Sequence, residues 1–380
     1  MLSPYAAADE ALRERLRRFA TDELPRFVAR EHDEATPRAL VEALGKAGFL
    51  KLVVPKPWGA AVRVSSLQLA VAREELSYAL PLADTLFAMQ GLGSYPVTLA
   101  GDARLKKRHL AAVATGASIA AFALTEKNAG SDAAALETTA RRDGRYYVLD
   151  GEKRFISNAG IADVYTVFAK TDPGAGARGI TAFVVEADTK GFEVSERTAT
   201  IAAHPLGSLR FERCRVPASA RLGSEGEGLK LALRTLEVFR PTVGAAACGM
   251  GGRALDESVE HLTQRRQFGR ALKDFQALRF KVAEMATDLD GARLLVERAA
   301  RLADLGKPGM RETAMAKLAA TEAAWRIVDQ AVQIHGGQGL VTGSPIERLY
   351  REVRALRIYE GTSEIQKLVI ARAILGKDSA

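Results

Sequence analysis

The spacing of apolar residues switches twice along this chain, and few architectures accommodate that. Up to about residue 120, apolar side chains recur every three or four positions: Leu12, Leu16 and Phe19, then Leu24, Phe27 and Val28. Between about 120 and 220 the runs become short and strand-like, as in Tyr146-Tyr147-Val148-Leu149, Phe155-Ile156, Val164 to Phe168, Ile180 to Val185 and Leu209-Arg210-Phe211. Asp150-Gly151 reads as a two-residue hairpin turn within that series. From about 226 the helical period returns, with Val282, Met285, Leu289, Ala292, Val296, Ala299 and Leu302 on one face. Helices, then a compact β region, then a bundle of long helices make an α+β, multi-domain chain rather than an alternating βαβ one.

At 380 residues the chain is long enough for two or three cooperating domains. Its 47% apolar and 26% charged content suits a globular protein with a substantial core. The net charge of +8 is scattered, so it suits a polyanionic small molecule as well as nucleic acid. Cys214 and Cys248 form neither a disulfide framework nor a metal-ligand spacing, and the five histidines show no metal-binding pattern. No metal is expected. Asp9, Glu10 and Glu14 among the N-terminal arginines argue against a transit peptide, and no apolar signal core follows. Leu110 to Leu124 is too short to span a bilayer. A cytoplasmic protein without membrane partners is expected.

Tyr359-Glu360-Gly361-Thr362-Ser363 places one carboxylate between an aromatic residue and a glycine, just before a helix start. Ser363 and Gln366 fit a capping box. A carboxylate so flanked can carry the raised pKa of a general base, although on this fragment alone an exposed turn acid is the favoured reading of Glu360. Gly249, Gly251 and Ala254 match a loose dinucleotide fingerprint without the strand that it requires. Gly244, Ala247, Gly251 and Ala254 instead make a small-residue helix face. Gly336 and Gly337 first suggest a helix C-cap.

Four segments, taken in order, carry more. They are Ala123 to Asp132, Arg265-Arg266-Gln267-Phe268-Gly269 with Phe275-Gln276, Gln333 to Gly339, and Tyr359 to Ser363. Together they closely resemble the acyl-CoA dehydrogenase family over essentially the whole chain. The resemblance implies an N-terminal α-helical domain over 1–120, a central β-barrel or sandwich over 121–222 and a C-terminal four-helix bundle over 223–380. It implies FAD bound between the β domain and the bundle without a Rossmann fold. Phe122, Leu124 and Thr125 would line the flavin, and Ser131 would sit between its pyrophosphate and CoA. Phe155 would cover the ring, Ile156 would continue that step, and Ser157 would approach flavin N5; Ser157-Asn158 is otherwise an ordinary strand-end turn. Arg265, Gln267 and Phe268 would reach the FAD of a neighbouring subunit, joined by Gln276, Gln333, Gly336 and Gly337 around the diphosphate and adenosine. A homotetramer, as a dimer of dimers, would follow. Thr362 and Glu364 would close the flavin site.

By the same resemblance, Glu360 would take the pro-R α-proton of a saturated acyl-CoA while the β-hydrogen leaves as hydride. The product is a trans-2-enoyl-CoA and the electrons pass to electron-transfer flavoprotein. Gly361 would admit the thioester closely. Phe239 stands where some members carry the base instead. Glu237 and Arg240 would lie near the CoA arm or the active-site wall, or else be solvated charges on a helix. Tyr78 to Tyr95, the expected acyl-pocket wall, lacks arginine and lysine, and Asp84 there is a polar handle or a solvent-facing acid. Lys127-Asn128 replaces a common Pro-Gly, Phe155 a common tryptophan, and His204 to Ser208 a common Arg-Gly-Ser loop. Rival expectations are an acyl-CoA oxidase-like flavoprotein, a flavin monooxygenase, which Glu360 disfavours, and a nucleic-acid-binding relative. The last tends to carry a C-terminal extension not seen here, and no nucleic-acid partner is expected.

Overall fold

The structure is a computed structural model that describes residues 7–307 and 309–376. It divides into two compact units. The described parts of the helical unit are 7–28, 65–84, 240–307 and 309–376; the sheet unit comprises Ala29–Val64 and Thr85–Phe239. Helices α5 (Pro81–Ala100) and α7 (Gly228–Gln264) contribute residues to both.

In the sheet unit, α3 (Thr36–Lys46) and α6 (Ala103–Thr115) accompany one eight-stranded sheet. Its strands are β1 (Ala120–Ala123), β2 (Thr139–Asp143), β3 (Tyr146–Ser157), β4 (Val164–Lys170), β5 (Ile180–Glu186), β6 (Phe192–Arg197), β7 (Leu206–Pro217) and β8 (Arg221–Leu222). The order is β6-β7-β3-β2-β4-β5-β8, with β1 parallel to β4. β4 and β5 are buried nearly end to end, which their unbroken Val, Phe and Ile runs already require.

Asp150-Gly151 is not a turn. β3 runs straight through it, and the register against β7 shifts between Leu149 and Gly151, with φ of 141° at Gly151. A bulge, rather than a reversal, uses the glycine there. The chain reverses instead at Gly144, between β2 and β3 (φ 57°). The expected short strand at Leu209 to Phe211 is likewise the middle of the twelve-residue β7.

The helical unit contains α1 (Ala7–Asp22), the single turn α2 (Pro25–Val28), α4 (Ser66–Ala79), α8 (Gln276–Asp304), α9 (Met310–His335), α10 (Pro345–Leu356) and α11 (Ser363–Leu375), with the small hairpin β9 (Arg266–Gln267) and β10 (Arg270–Ala271). Leu12, Leu16 and Phe19 of α1 are buried, as are Met285, Leu289, Ala292, Val296 and Ala299 of α8. The small face of α7 brings its backbone close to α8 and α9: a Cβ on Gly244 would stand 2.7 Å from Val296 Cγ2. Asp304, the last residue of α8, accepts from the N–H groups of Ser66 and Leu67 and so closes the start of α4. The cap of α11 is Thr362, whose hydroxyl accepts from Ile365 N at 3.3 Å. Ser363, expected as the cap, is the first helical residue and its hydroxyl turns to Glu322 instead. No described helix is long and apolar enough to cross a membrane.

Candidate active site

Between α10 and α11 the backbone takes two left-handed steps in succession, Glu360 at φ 52° and Gly361 at φ 92°. The glycine adopts this freely and the glutamate does not, at a cost on the order of 1 kcal/mol or more. Side chains from three helices hold the segment. Arg240 Nε of α7 donates to the Glu360 carbonyl at 2.9 Å, and Lys317 Nζ of α9 to the Gly361 carbonyl at 2.8 Å. Gln366 Nε2 of α11 adds a bond to Gly361 O at 2.9 Å. Any Cβ at Gly361 would stand 2.5 Å from that same Gln366 nitrogen. Below the loop, Arg357 and Ser363 both donate to Glu322 Oε1, at 2.9 and 2.5 Å.

These groups bind backbone and leave the Glu360 carboxylate free. Its Oε2 is sealed from solvent and accepts no hydrogen bond among the described residues. Burial pushes the Glu360 pKa above the ordinary carboxylate value, outweighing the charges of Arg73, Arg240 and Lys317, while Asp84 adds to the rise. Burial likewise lowers the Lys317 ammonium to about 8, with Glu360 opposing that fall. Asp84 is neither a free polar handle nor solvent-facing. It is buried in a two-pronged pair with Arg73, at 2.8 and 3.0 Å, and Thr242 takes a further Arg73 bond at 3.1 Å.

A second set lies in the sheet unit. Thr125 is pinned when Arg154 N donates to its carbonyl at 2.9 Å. The next residue, Glu126, accepts from Lys153 Nζ at 2.7 Å, Thr138 Oγ1 at 2.5 Å, Thr138 N at 3.1 Å and also Glu137 N. Lys153 donates in addition to Leu124 O at 3.2 Å, so this buried pair shapes the whole 124–126 turn. Lys127 and Asn128, the departure from Pro-Gly, are exposed at its tip, and Ser131 is exposed beyond them. Phe122 packs on Phe168 with ring centroids 4.9 Å apart. At the end of β3, Phe155 has φ 54° and a ring that is 53% exposed, Ile156 is buried, and Ser157 is half-buried. Glu237 is half-buried. Phe239 is fully buried against the edge of Tyr95, and a Cβ at Gly91 would meet its ring at 2.2 Å.

A third set lies on the surface of the helical unit. Arg265, Gln267, Gln276, Gln333 and Glu364 are exposed, and Phe268 is 91% exposed at φ 49° on the tip of the β9–β10 hairpin. Gly336 ends α9 at φ 59°, and at both Gly336 and Gly337 a Cβ would meet nothing within 4 Å. The donor chemistry of these sets fits FAD. A projecting aromatic ring beside a hydroxyl suits a flavin face, while an arginine, glutamines and open glycine backbone suit a diphosphate.

Analysis of the sequence missed Lys317, Lys153 and the Arg73–Asp84 pair. Lys317 had a signal: with Thr313 and Thr321 it falls on the buried face of α9, where a lysine breaks the apolar period. Lys153 and Glu126 lie 27 residues apart and gave none.

The N-terminal, middle and C-terminal domain families of acyl-CoA dehydrogenases match residues 6–117, 121–214 and 226–375. A probable acyl-CoA dehydrogenase of Mycobacterium tuberculosis is 38% identical over 370 residues, covering 96% of this chain and 95% of that protein. A 3-(aryl)acrylate reductase of Clostridium sporogenes is 40% identical over 376 residues, covering 98% and 99% respectively. The butyryl-CoA dehydrogenase structure from Megasphaera elsdenii superposes with a TM-score of 0.93 at 33% identity, covering 99% of this chain and all of that one. With its three domains in family order, the chain belongs to the acyl-CoA dehydrogenase family of FAD-dependent oxidoreductases.

Proposed function

We propose that this protein oxidises a short saturated acyl-CoA to the trans-2-enoyl-CoA, with Glu360 as the base. The observation that carries this is the Glu360 carboxylate: half-buried with Oε2 sealed from solvent, raised in pKa, and held by its backbone rather than by its oxygens. A base must keep its lone pair for the substrate, and a carboxylate that accepts structural hydrogen bonds spends it elsewhere. FAD, when bound, supplies the two-electron acceptor for the β-hydrogen. Glu360 takes the α-proton at a carboxylate oxygen, and its own N–H, which bonds no backbone carbonyl among the described residues, is available to the developing enolate oxygen. Arg240 and Lys317 hold the carbonyls of residues 360 and 361 and thereby restrain the loop that carries that N–H.

A short acyl group is favoured because Phe239 fills the space beside Gly91 on the helix expected to wall the acyl pocket. The butyryl-CoA specificity named for a structural neighbour agrees with that. The Thr125 turn, Phe155 and Ser157 would face the flavin ring, and the Gly336-Gly337 segment with Gln333 would receive a diphosphate. Phe268, Arg265 and Gln267 project from their unit as residues completing a neighbouring subunit's site would, consistent with a homotetramer. Electrons would leave to electron-transfer flavoprotein.

Anaerobic titration of the FAD-loaded protein with saturated acyl-CoA esters of increasing length tests this. Rapid bleaching of the flavin band by C4–C6 esters is expected. If only long or aryl esters bleach it, the short-chain assignment fails; if none does and an enoyl ester reoxidises the chemically reduced flavin, the reaction runs as a reductase, like the Clostridium relative.

A further inference from the structure

The His204 to Ser208 segment departs from the family pattern, and its last three residues begin β7. Leu206 pairs with Ser157 across β7 and β3, and Asn158 N donates to Pro205 O at 2.7 Å. Asn158 itself sits at φ 65° and anchors its amide to Ala120 O at 2.9 Å. His204 Nε2 lies 2.8 Å from Ser157 Oγ.

We propose that His204 is a positioning residue for the flavin, setting the direction of the Ser157 hydroxyl. This rests on the reading of Ser157 as the hydroxyl that faces flavin N5. Nitrogen N5 accepts a hydrogen bond in oxidised flavin and carries a hydrogen, which it donates, in the reduced form. A hydroxyl serving both states must reverse: it donates to N5 in one and accepts from N5–H in the other. In the second state its own proton needs an acceptor. A neutral imidazole supplies it, because Nε2 accepts in one tautomer and donates in the other. Burial pushes His204 down to about 4, so the ring is neutral at ordinary pH. Its Nδ1 bonds nothing among the described residues, and the ring lines a cavity of about 710 Å³ together with Arg38, Arg197 and Thr200. No protein partner therefore locks the tautomer.

The test is the midpoint potential of the bound FAD, read by equilibration with a redox dye. In His204→Leu the Ser157 proton has no acceptor when N5 carries hydrogen, so the reduced form is disfavoured. The oxidised-to-reduced ratio at fixed potential should rise about tenfold, equivalent to about 30 mV more negative for two electrons. His204→Gln, whose amide can donate or accept, should restore most of the parent value. In a Ser157→Ala background the His204→Leu change should have no further effect. An equal shift in that background would overturn the proposal, since His204 would then act by another route. If Ser157→Ala leaves both potential and flavin spectrum unchanged, Ser157 does not face the flavin and the underlying reading fails. Should His204→Leu not retain FAD, His204→Asn, too short to span the contact, carries the same expectation.

Discussion

Burial acts on two glutamates of this protein, and their pKa values move in opposite directions. For both Glu126 and Glu360, burial is the largest influence and pushes the pKa up. At Glu126 the push is overcome by Lys153, Thr138 and the Glu137 N–H, and the pKa falls below its ordinary value. At Glu360 three cations stand nearby, yet Arg240 and Lys317 each donate to a backbone carbonyl, no donor reaches Oε2, and the pKa stays raised. Proximity of positive charge therefore does not by itself separate a carboxylate with a lowered pKa from one with a raised pKa. What distinguishes them is whether the donors point at the carboxylate or at the chain that carries it.

Substituting the two glutamates alike is the strongest way to break this comparison. Glu360→Gln should retain FAD and slow flavin reduction by acyl-CoA by roughly 10⁴-fold in stopped flow. A group whose pKa is raised by folding costs stability above its unfolded pKa, so the same variant should melt higher than the parent at pH 7. Glu126→Gln should melt lower, because a depressed pKa contributes stability at neutral pH that is lost as pH falls through it. Equal melting shifts in the two variants would refute the contrast. Lys153→Met is next in size. It strands a buried carboxylate, and a cost of about 3–5 kcal/mol is expected, with early loss of FAD on heating.

Lys317→Met probes the other side of the comparison. It removes a carbonyl clamp and a charge that favours ionised Glu360, and flavin reduction should fall about 10–100-fold. Below its raised pKa Glu360 is protonated and cannot accept the α-proton, so the parent rate climbs as pH rises through that value. In the variant this acid limb should move to higher pH. A lower rate with an unmoved limb would make Lys317 a packing residue only. The smallest effect belongs to Thr362→Ala, which should cost about 1 kcal/mol through the lost cap and slightly slow flavin reduction by loosening the loop.

Much of the fold was legible because it rests on local periodicity. The apolar face of α8 and the helical nature of the Gly244 to Ala254 stretch both follow from side-chain spacing, and the structure contains both. The hairpin expected at Asp150-Gly151 failed because a dipeptide records the tolerance for positive φ, not whether a bulge or a turn uses it. The α11 cap slipped by one residue, since Thr362 and Ser363 are both capping residues and only the position of Glu322 tells them apart.

By itself, then, the amino-acid order determined the helix–sheet–helix sequence, the family, the FAD requirement and the candidate base, all carried by short contiguous segments. Tertiary structure alone decided where the charges of Lys317, Arg240, Lys153 and the Arg73–Asp84 pair are directed, and that His204 meets Ser157. The physical reason is range: periodicity and capping act within a few residues, whereas these partners lie 11 to 120 residues apart and meet only when separate helices and strands pack. A hydrogen bond between them has direction, and direction is fixed by packing.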